Sequence, residues 1–144
     1  MKVIKILTHP YTVIISFFII LINGEGWGGF FLLYLLFGLP YAAIHSLLAL
    51  MGIGLLLFSN QKYKRKKEYM IEGLMEILGV LLLLLSLFLF FYNDKQHYNY
   101  GTFYQLVPVI TLILFSIIAL TSIVVNVMAI FRISTKNSIH NINM

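Results

Sequence analysis

Apolar residues along the chain form four long blocks, separated by short segments that carry most of the charged residues. A membrane-spanning helix needs about 20 mostly apolar residues, and no block alternates as barrel strands do. Backbone amides in hydrocarbon need internal partners, which a helix supplies. The pattern therefore predicts an all-α membrane protein, a bundle of four transmembrane helices. The predicted spans are residues 3–22, 29–58, 69–92 and 103–131.

Proline interrupts the first two blocks. Pro10 either begins a helix, leaving residues 1–9 at the interface, or kinks one longer helix. The kinked helix is favoured, because residues 10–22 alone are short for a bilayer. Pro40 follows Gly38-Leu39 in the long second block, which predicts a tilted, kinked or overlong helix. A re-entrant segment over residues 27–38, followed by a shorter span, is the less favoured alternative.

Composition supports a membrane location. Hydrophobic residues make up 60% of the 144 residues and charged residues 10%, against roughly 25% charged in a soluble domain. A soluble fold of this size could not bury so much apolar surface. The chain has no cysteine, which excludes disulfides, thiolate metal sites and cysteine nucleophiles. Residues 1–144 are predicted to form a single integral domain, with its first segment retained because no signal-cleavage motif follows it.

Basic residues are distributed unevenly between the loops. Nine of the ten lysines and arginines precede the first block, lie between the second and third, or follow the fourth, and only Lys95 lies elsewhere. The positive-inside rule then places both termini and the 60–68 loop in the cytoplasm. We therefore predict a multi-pass protein of the cell (inner) membrane. Richness in Ile, Asn, Lys and Tyr suggests an AT-rich bacterial genome.

Small residues recur along one predicted face of the second span. This predicted seam consists of Gly38, Ala42, Ala49 and Gly52, with Gly79 on the third span. Small residues let another helix approach closely, which drives association in lipid. His45 lies in the same row and Tyr41 lies near it. The histidine is interpreted either as a hydrogen-bonding member of the seam or as a proton-accepting or ligand-binding group near mid-membrane.

Acidic residues form a stripe at the start of the third span, with Glu68, Glu72 and Glu76 four residues apart. We expect Glu72 to reach the interface and Glu76 to lie about 10–12 Å inside. A charged acid there costs about 2–3 kcal/mol, so it should be neutral, paired or facing polar space. Asn126 of the fourth span could meet it, with Ser122 one turn further out. A candidate proton or cation path would comprise Glu76, His45, Tyr41 and Asn126. The alternative is an interhelical hydrogen bond, or a contact of Glu76 with Lys66 or Lys67.

A basic run lies between the second and third spans, and it has the composition of an anionic-lipid site. Each basic residue near a charged membrane surface contributes about 1 kcal/mol. The positive-inside rule accounts for basic residues at this place without any specific lipid binding. The run consists of Lys62, Lys64, Arg65, Lys66 and Lys67.

Motifs for enzymatic chemistry are missing from the sequence. There is no HExxH motif, no serine elbow and no carboxylate–histidine cluster, so no catalytic residue, metal site or cofactor is predicted. The favoured hypothesis is a non-enzymatic accessory or interaction subunit of a membrane complex, or an immunity-type protein. The alternative is a small oligomeric proton- or cation-coupled transporter or channel. Expected partners are the bilayer and other membrane chains or copies of itself, but not nucleic acid.

Overall fold

The computed structural model describes residues 2–25, 28–62 and 69–142. Two helical segments, Met70–Tyr92 and Leu106–Arg132, are long and apolar enough to cross a membrane. A bent pair of helices provides a third candidate. The described residues therefore form a helical protein with two or three candidate membrane-spanning helices, and the predicted four-span bundle is not confirmed by them.

Eight regular elements occur along the described chain. They are α1 (Lys2–Leu7), α2 (Pro10–Phe18), β1 (Leu21–Asn23), β2 (Gly28–Phe30), α3 (Phe31–Gly38), α4 (Ile44–Lys62), α5 (Tyr69–Tyr92) and α6 (Leu106–Ile142). Short 3-10 helices at Leu39–Tyr41 and Tyr100–Tyr104 precede α4 and α6. The bounds of α5 agree with the third predicted span, whereas the first two blocks are divided.

The first block folds as two short helices rather than one continuous helix. Pro10 is the first residue of α2, a position where its missing N–H costs little. The backbone N–H of Tyr11 donates to Nδ1 of His9, which caps the helix, over 3.3 Å. Helix α2 has nine residues, about 13 Å of rise. The structure therefore supports the interpretation in which a helix begins at Pro10.

An unpredicted β-hairpin follows α2, in which β1 pairs antiparallel with β2. The N–H of Leu21 donates to Oγ1 of Thr111 over 3.0 Å, and the N–H of Asn23 donates to Oγ1 of Thr102 over 2.9 Å. Ile22, between them, is buried. Non-helical backbone is tolerated at membrane depth only where protein surrounds it and satisfies its polar groups. The two threonines supply part of that environment here.

The second block is broken by a sharp bend. Helices α3 and α4 meet at 113°, so a merely tilted or kinked helix over residues 29–58 is wrong. Pro40 lies in the intervening 3-10 helix, and Ala42 adopts the left-handed conformation with φ 50° and ψ 36°. A left-handed residue reverses the direction of a helix and ends it. The geometry fits either a broken span or a re-entrant segment, and the re-entrant segment is the less favoured alternative of the sequence analysis.

Helices α4, α5 and α6 run antiparallel to their neighbours. On α5, Gly79, Leu83 and Ser86 are buried, as their stripe predicts. A cluster of phenylalanines joins these helices to the first block, with the rings of Phe17 and Phe115 5.3 Å apart. We call the end where α4 ends and α5 begins the loop end, and the opposite end, with β1 and β2, the hairpin end.

Candidate functional site

A carboxyl–amide pair joins α5 and α6 near the loop end. Nδ2 of Asn126 donates to Oε2 of Glu76 over 2.8 Å and to the backbone oxygen of Ser122 over 3.0 Å. Met70 begins one apolar segment and Arg132 ends the other. Glu76 lies six residues after Met70, and Asn126 lies six residues before Arg132. Both therefore lie about 9 Å inside those ends. The structure brings the two residues together at one depth.

A close approach of α5 and α6 explains why these side chains meet. A Cβ atom at Gly73, one turn before Glu76, would lie 3.3 Å from the side chain of Ile130 on α6. Small residues allow such approaches in lipid, where hydrophobic burial does not drive helices together. An unpaired amide or carboxyl in hydrocarbon is costly. The hydrogen bond therefore gives each group a partner and joins α5 to α6 at this level.

Ser59 and Glu72 add further oxygens to this loop-end cluster. The hydroxyl of Ser59 lies near the Glu76 carboxyl and donates to the backbone oxygen of Leu56 over 2.9 Å. Glu72, one turn before Glu76, is 4% exposed. Its Oε1 has no hydrogen-bond partner in the described part of the chain. The expectation that Glu72 reaches the interface is wrong, because it shares the buried stripe that leads to Gly79.

A second cluster lies near the hairpin end, around Phe90. The His45 ring packs edge-on against Phe90 with centroids 5.4 Å apart, and Tyr34 from α3 packs on the same ring at 5.4 Å. Oγ of Ser86 donates to the backbone oxygen of His45 over 2.7 Å. His45 is half-buried. The histidine is thus held by an aromatic contact and by its backbone, at the start of α4.

The bend between α3 and α4 divides the predicted packing seam. Ala49 and Gly52 are buried in α4, where a Cβ atom at Gly52 would lie 2.8 Å from the backbone oxygen of Gly79. Gly38 ends α3, and Ala42 is exposed within the bend. The predicted positions do not share one helical face, because the helix is interrupted between Gly38 and Ala49. Close backbone contact is found at Gly52 and Gly79.

Two residues at the bend have environments that the sequence did not reveal. Tyr41 is 86% exposed, so it does not join His45 or Glu76 in the interior. Ser46 is buried, and its hydroxyl has no hydrogen-bond partner within the described ranges. That hydroxyl occupies the place where a Cβ atom of Gly38 would stand. A side chain at position 38 would therefore require the Ser46 hydroxyl to move.

The geometry separates His45 from Glu76. Ser86 marks the level of His45 on α5 and lies ten residues beyond Glu76, about 15 Å by helical rise. From the sequence alone, counting residues from the helix ends predicts a smaller separation of His45 and Glu76 along the helix axis, about 9 Å. The backbones of α4 and α5 touch at Gly52 and Gly79, between the two levels. The two clusters are therefore distinct, and the contact of Gly52 with Gly79 lies between them.

An open crevice lies between α5 and α6 toward the hairpin end. It has a volume of about 400 Å³ and is open on one side. The hydroxyl of Ser116 on its wall donates to the backbone oxygen of Leu112 over 2.8 Å, so that wall offers little free polarity. The residues lining the crevice are Leu84, Leu87, Phe88, Phe91, Tyr92, Tyr100, Phe103, Leu112 and Ser116.

Several predicted contacts lie outside the described residues. Of the basic run, Lys62 is the last residue of α4, and the remaining members are not described. No group of three His, Cys, Asp or Glu side chains suited to a metal ion occurs among the described residues. The undescribed residues named above are Lys64, Arg65, Lys66, Lys67 and Glu68.

Comparison with protein-family models, curated proteins and solved structures finds no match to this chain. The interpretation of the loop-end cluster, the hairpin-end cluster and the crevice therefore rests on residues and geometry. The carboxyl group of Glu76 can hold a proton, and carboxylate oxygens are also ligands that hard cations prefer. The crevice can hold apolar groups from lipid or from another chain.

Proposed function

We propose that this protein is a non-enzymatic subunit of a membrane complex, which binds another membrane chain through the crevice between α5 and α6. The observation that carries the proposal is the contrast between the closely packed α4–α5 interface and the open crevice between α5 and α6. The backbones of α4 and α5 touch at Gly52 and Gly79, whereas about 400 Å³ remains open beside α5 and α6. Helix association in lipid depends on van der Waals packing, so a preformed concave surface favours a partner helix.

The proposed topology has four crossings. Helix α4 has 19 residues, about 28 Å of rise, which approaches the roughly 30 Å of hydrocarbon. It can therefore cross alone while α3 turns aside. The first crossing is assigned to the segment from α1 to β1, because this segment lies alongside α6. Phe17 packs on Phe115, and the backbone of Leu21 bonds to Thr111.

The proposed orientation places both termini and the 60–68 loop in the cytoplasm, and cysteine labelling tests it. The chain has no cysteine, so single-cysteine variants need no background changes. A membrane-impermeant maleimide should label Lys95→Cys on intact cells, and Lys136→Cys only after lysis. Labelling of Lys136→Cys on intact cells would contradict the orientation.

Native mass spectrometry tests the proposed interaction. Gentle extraction from the protein's own membrane should yield a stoichiometric complex with a second kind of chain. Ser116→Phe fills the crevice and should remove that chain. Ile117→Phe is the matched control, because Ile117 is the next residue of α6 and is exposed. Its larger side chain should leave the complex intact.

Two outcomes would overturn the interaction proposal. One is a clean monomer or homo-oligomer from the native membrane, which shifts the interpretation to transport. The other is a complex that survives Ser116→Phe as well as it survives Ile117→Phe. The second outcome would retain a partner but exclude the crevice as its binding surface.

A compact oligomeric proton- or cation-coupled transporter or channel is the second candidate, and the loop-end cluster favours it. Ionisable residues inside a membrane commonly mark proton or ion pathways, and Glu76 and Glu72 both lie within α5. Because α4 and α5 are in contact between Glu76 and His45, the pathway would run between copies of the chain. Glu76→Gln should then abolish pH-coupled flux in proteoliposomes while helicity is unchanged. Full flux in this variant would remove Glu76 from the mechanism.

A further inference from the structure

Helix α3 lies across the start of α4 instead of continuing it. The two helices are bent by 113°, which is closer to a right angle than to a straight continuation. Helix α3 has eight residues. These give about 12 Å of rise, of which only about 5 Å lies along the α4 axis. With α4 upright in a bilayer, α3 therefore lies close to the membrane plane.

The depth of α3 follows from contacts with α5. The hydroxyl of Ser86 donates to the backbone oxygen of His45 at the start of α4. Ser86 lies six residues before Tyr92, where the apolar segment of α5 ends, which is about 9 Å of rise. Tyr34 of α3 packs on Phe90, two residues before that end. Helix α3 thus occupies roughly the outer 10 Å of a hydrocarbon core about 30 Å thick, on the hairpin side.

One face of α3 is covered by protein and the other is not. Phe31 packs on the ring of Phe90 and is buried, as is Leu35. Leu36 and Phe37 are exposed, Phe37 by 66%. A helix at the surface of a membrane carries a charged or polar face toward water, but α3 has no charged residue. Its uncovered face therefore fits acyl chains better than water.

Hydrogen bonds within the bend satisfy part of its backbone. The N–H of Ala42 donates to the oxygen of Leu39 over 3.0 Å, and the N–H of Ala43 donates to the oxygen of Gly38 over 3.1 Å. Non-helical backbone in contact with lipid is costly because its polar groups lack partners. These two bonds lower the cost of placing the bend in hydrocarbon.

We infer that α3 is an in-plane membrane helix whose outer face, formed by Leu33, Leu36 and Phe37, binds the acyl chains of lipids in the hairpin-side leaflet. The three residues are spaced three and four apart, so they share one helical face, and all are exposed. The inference rests on the proposed crossing by α4. It does not use the partner interaction, which is assigned to the crevice between α5 and α6.

Nitroxide depth measurements on single-cysteine variants test the orientation. The purified full chain in nanodiscs is labelled at Leu33→Cys or Phe37→Cys, and depth is read from accessibility to oxygen and to a water-soluble nickel complex. The two labels should differ in depth by about 2 Å, because α3 lies near the membrane plane. Leu81→Cys and Leu85→Cys on α5 are the matched pair, since they are also exposed and four residues apart. Their depths should differ by about 6 Å.

Three results would overturn the inference. A depth difference between positions 33 and 37 as large as that of the α5 pair would mean that α3 stands upright. Access of the nickel complex in preference to oxygen would place α3 in water. Protection from both reagents would mean that a second copy of the chain covers this face.

A further pair separates this inference from the proposed crossing by α4. Leu47 and Met51 are exposed on α4 and four residues apart. Labels at Leu47→Cys and Met51→Cys should differ in depth by about 6 Å. Equal depths at this pair would contradict the crossing by α4, whereas equal depths at positions 33 and 37 alone support an in-plane α3.

Tryptophan quenching gives a second measurement that needs no attached label. The one tryptophan of the chain, Trp27, is replaced by phenylalanine, and Phe37→Trp supplies the fluorophore. Lipids brominated near the headgroup should quench it more strongly than lipids brominated near the chain end. Leu81→Trp is the control and should show the reverse order, because Leu81 lies at the middle of Met70–Tyr92. Stronger quenching by chain-end bromine at position 37 would place α3 at the bilayer centre and overturn the inference.

Discussion

Helix α5 packs against α4 on one side and against α6 on the other, and the two interfaces are built differently. Between α4 and α5, glycine faces glycine, so a Cβ atom at Gly79 would lie 3.0 Å from the backbone oxygen of Gly52. Between α5 and α6, Gly73 faces the larger side chain of Ile130. The first contact joins two backbones, whereas the second ends on a flexible side chain.

This difference assigns separate roles to the two interfaces. A backbone atom cannot move aside as the end of a side chain can, so we expect the α4–α5 interface to be the more rigid of the two. The α5–α6 interface combines a side-chain contact, the Glu76–Asn126 hydrogen bond and an open crevice. Its geometry can change with less loss of contact. A binding surface is therefore better placed between α5 and α6 than between α4 and α5.

The largest expected effect comes from adding a methyl group to the rigid interface. In Gly79→Ala the new Cβ would lie 2.9 Å from the side chain of Leu56 as well as close to Gly52. Overpacking of this kind costs about 1–3 kcal/mol, and we expect the free energy of unfolding to fall by about 2 kcal/mol. Denaturant titration in mixed micelles measures the change.

Gly54→Ala is the matched control for that substitution. Gly54 also lies in α4, but a Cβ atom there has no neighbour within 4 Å. Replacing glycine by alanine inside a helix gains up to about 1 kcal/mol, so the control should be neutral or slightly stabilising. A cost in Gly54→Ala equal to that in Gly79→Ala would show that close packing is not the cause.

The second largest expected effect on stability comes from removing the hydrogen bond between Asn126 and Glu76 at the α5–α6 interface. Asn126→Leu removes the donor to Glu76 and leaves the carboxyl with one partner fewer. Interhelical hydrogen bonds in membranes contribute about 0.6 kcal/mol on average and up to about 1.7. We expect a loss of about 1 kcal/mol in the same titration. Glu76→Gln keeps an acceptor for Asn126 and should cost less. The reverse order would show that the charge of Glu76, and not this bond, stabilises the interface.

The sequence predicts regular helices well and broken ones poorly. The uninterrupted apolar stretch of α5 fixes its bounds, and equal distances from the helix ends predict that Glu76 meets Asn126. For the interruption at Gly38–Pro40 the sequence favours a tilted, kinked or overlong helix over a re-entrant segment, and it gives no indication that Ala42 is left-handed. Alanine carries no local signal for that conformation.

Burial of Glu72 and formation of the β-hairpin also depend on contacts between distant segments. Depth along α5 placed Glu72 near the interface, but its side chain is only 4% exposed. The hairpin uses Thr102 and Thr111, which lie some 80–90 residues away along the chain. Glycines 24, 26 and 28 between two short apolar segments are the local signal for a hairpin that the sequence offers.

The smallest expected change in stability, that of Gly73→Ala, is the sharpest test of the difference between the α4–α5 and α5–α6 interfaces. Gly73→Ala places a Cβ 3.3 Å from the flexible end of Ile130, which can move by a few tenths of an ångström. The gain in helix propensity should offset this small strain, so we expect a change within about 0.5 kcal/mol of zero. A loss as large as that of Gly79→Ala would show that α6 is held as rigidly as α4. In that case the crevice would be a fixed feature of the bundle rather than an adaptable one.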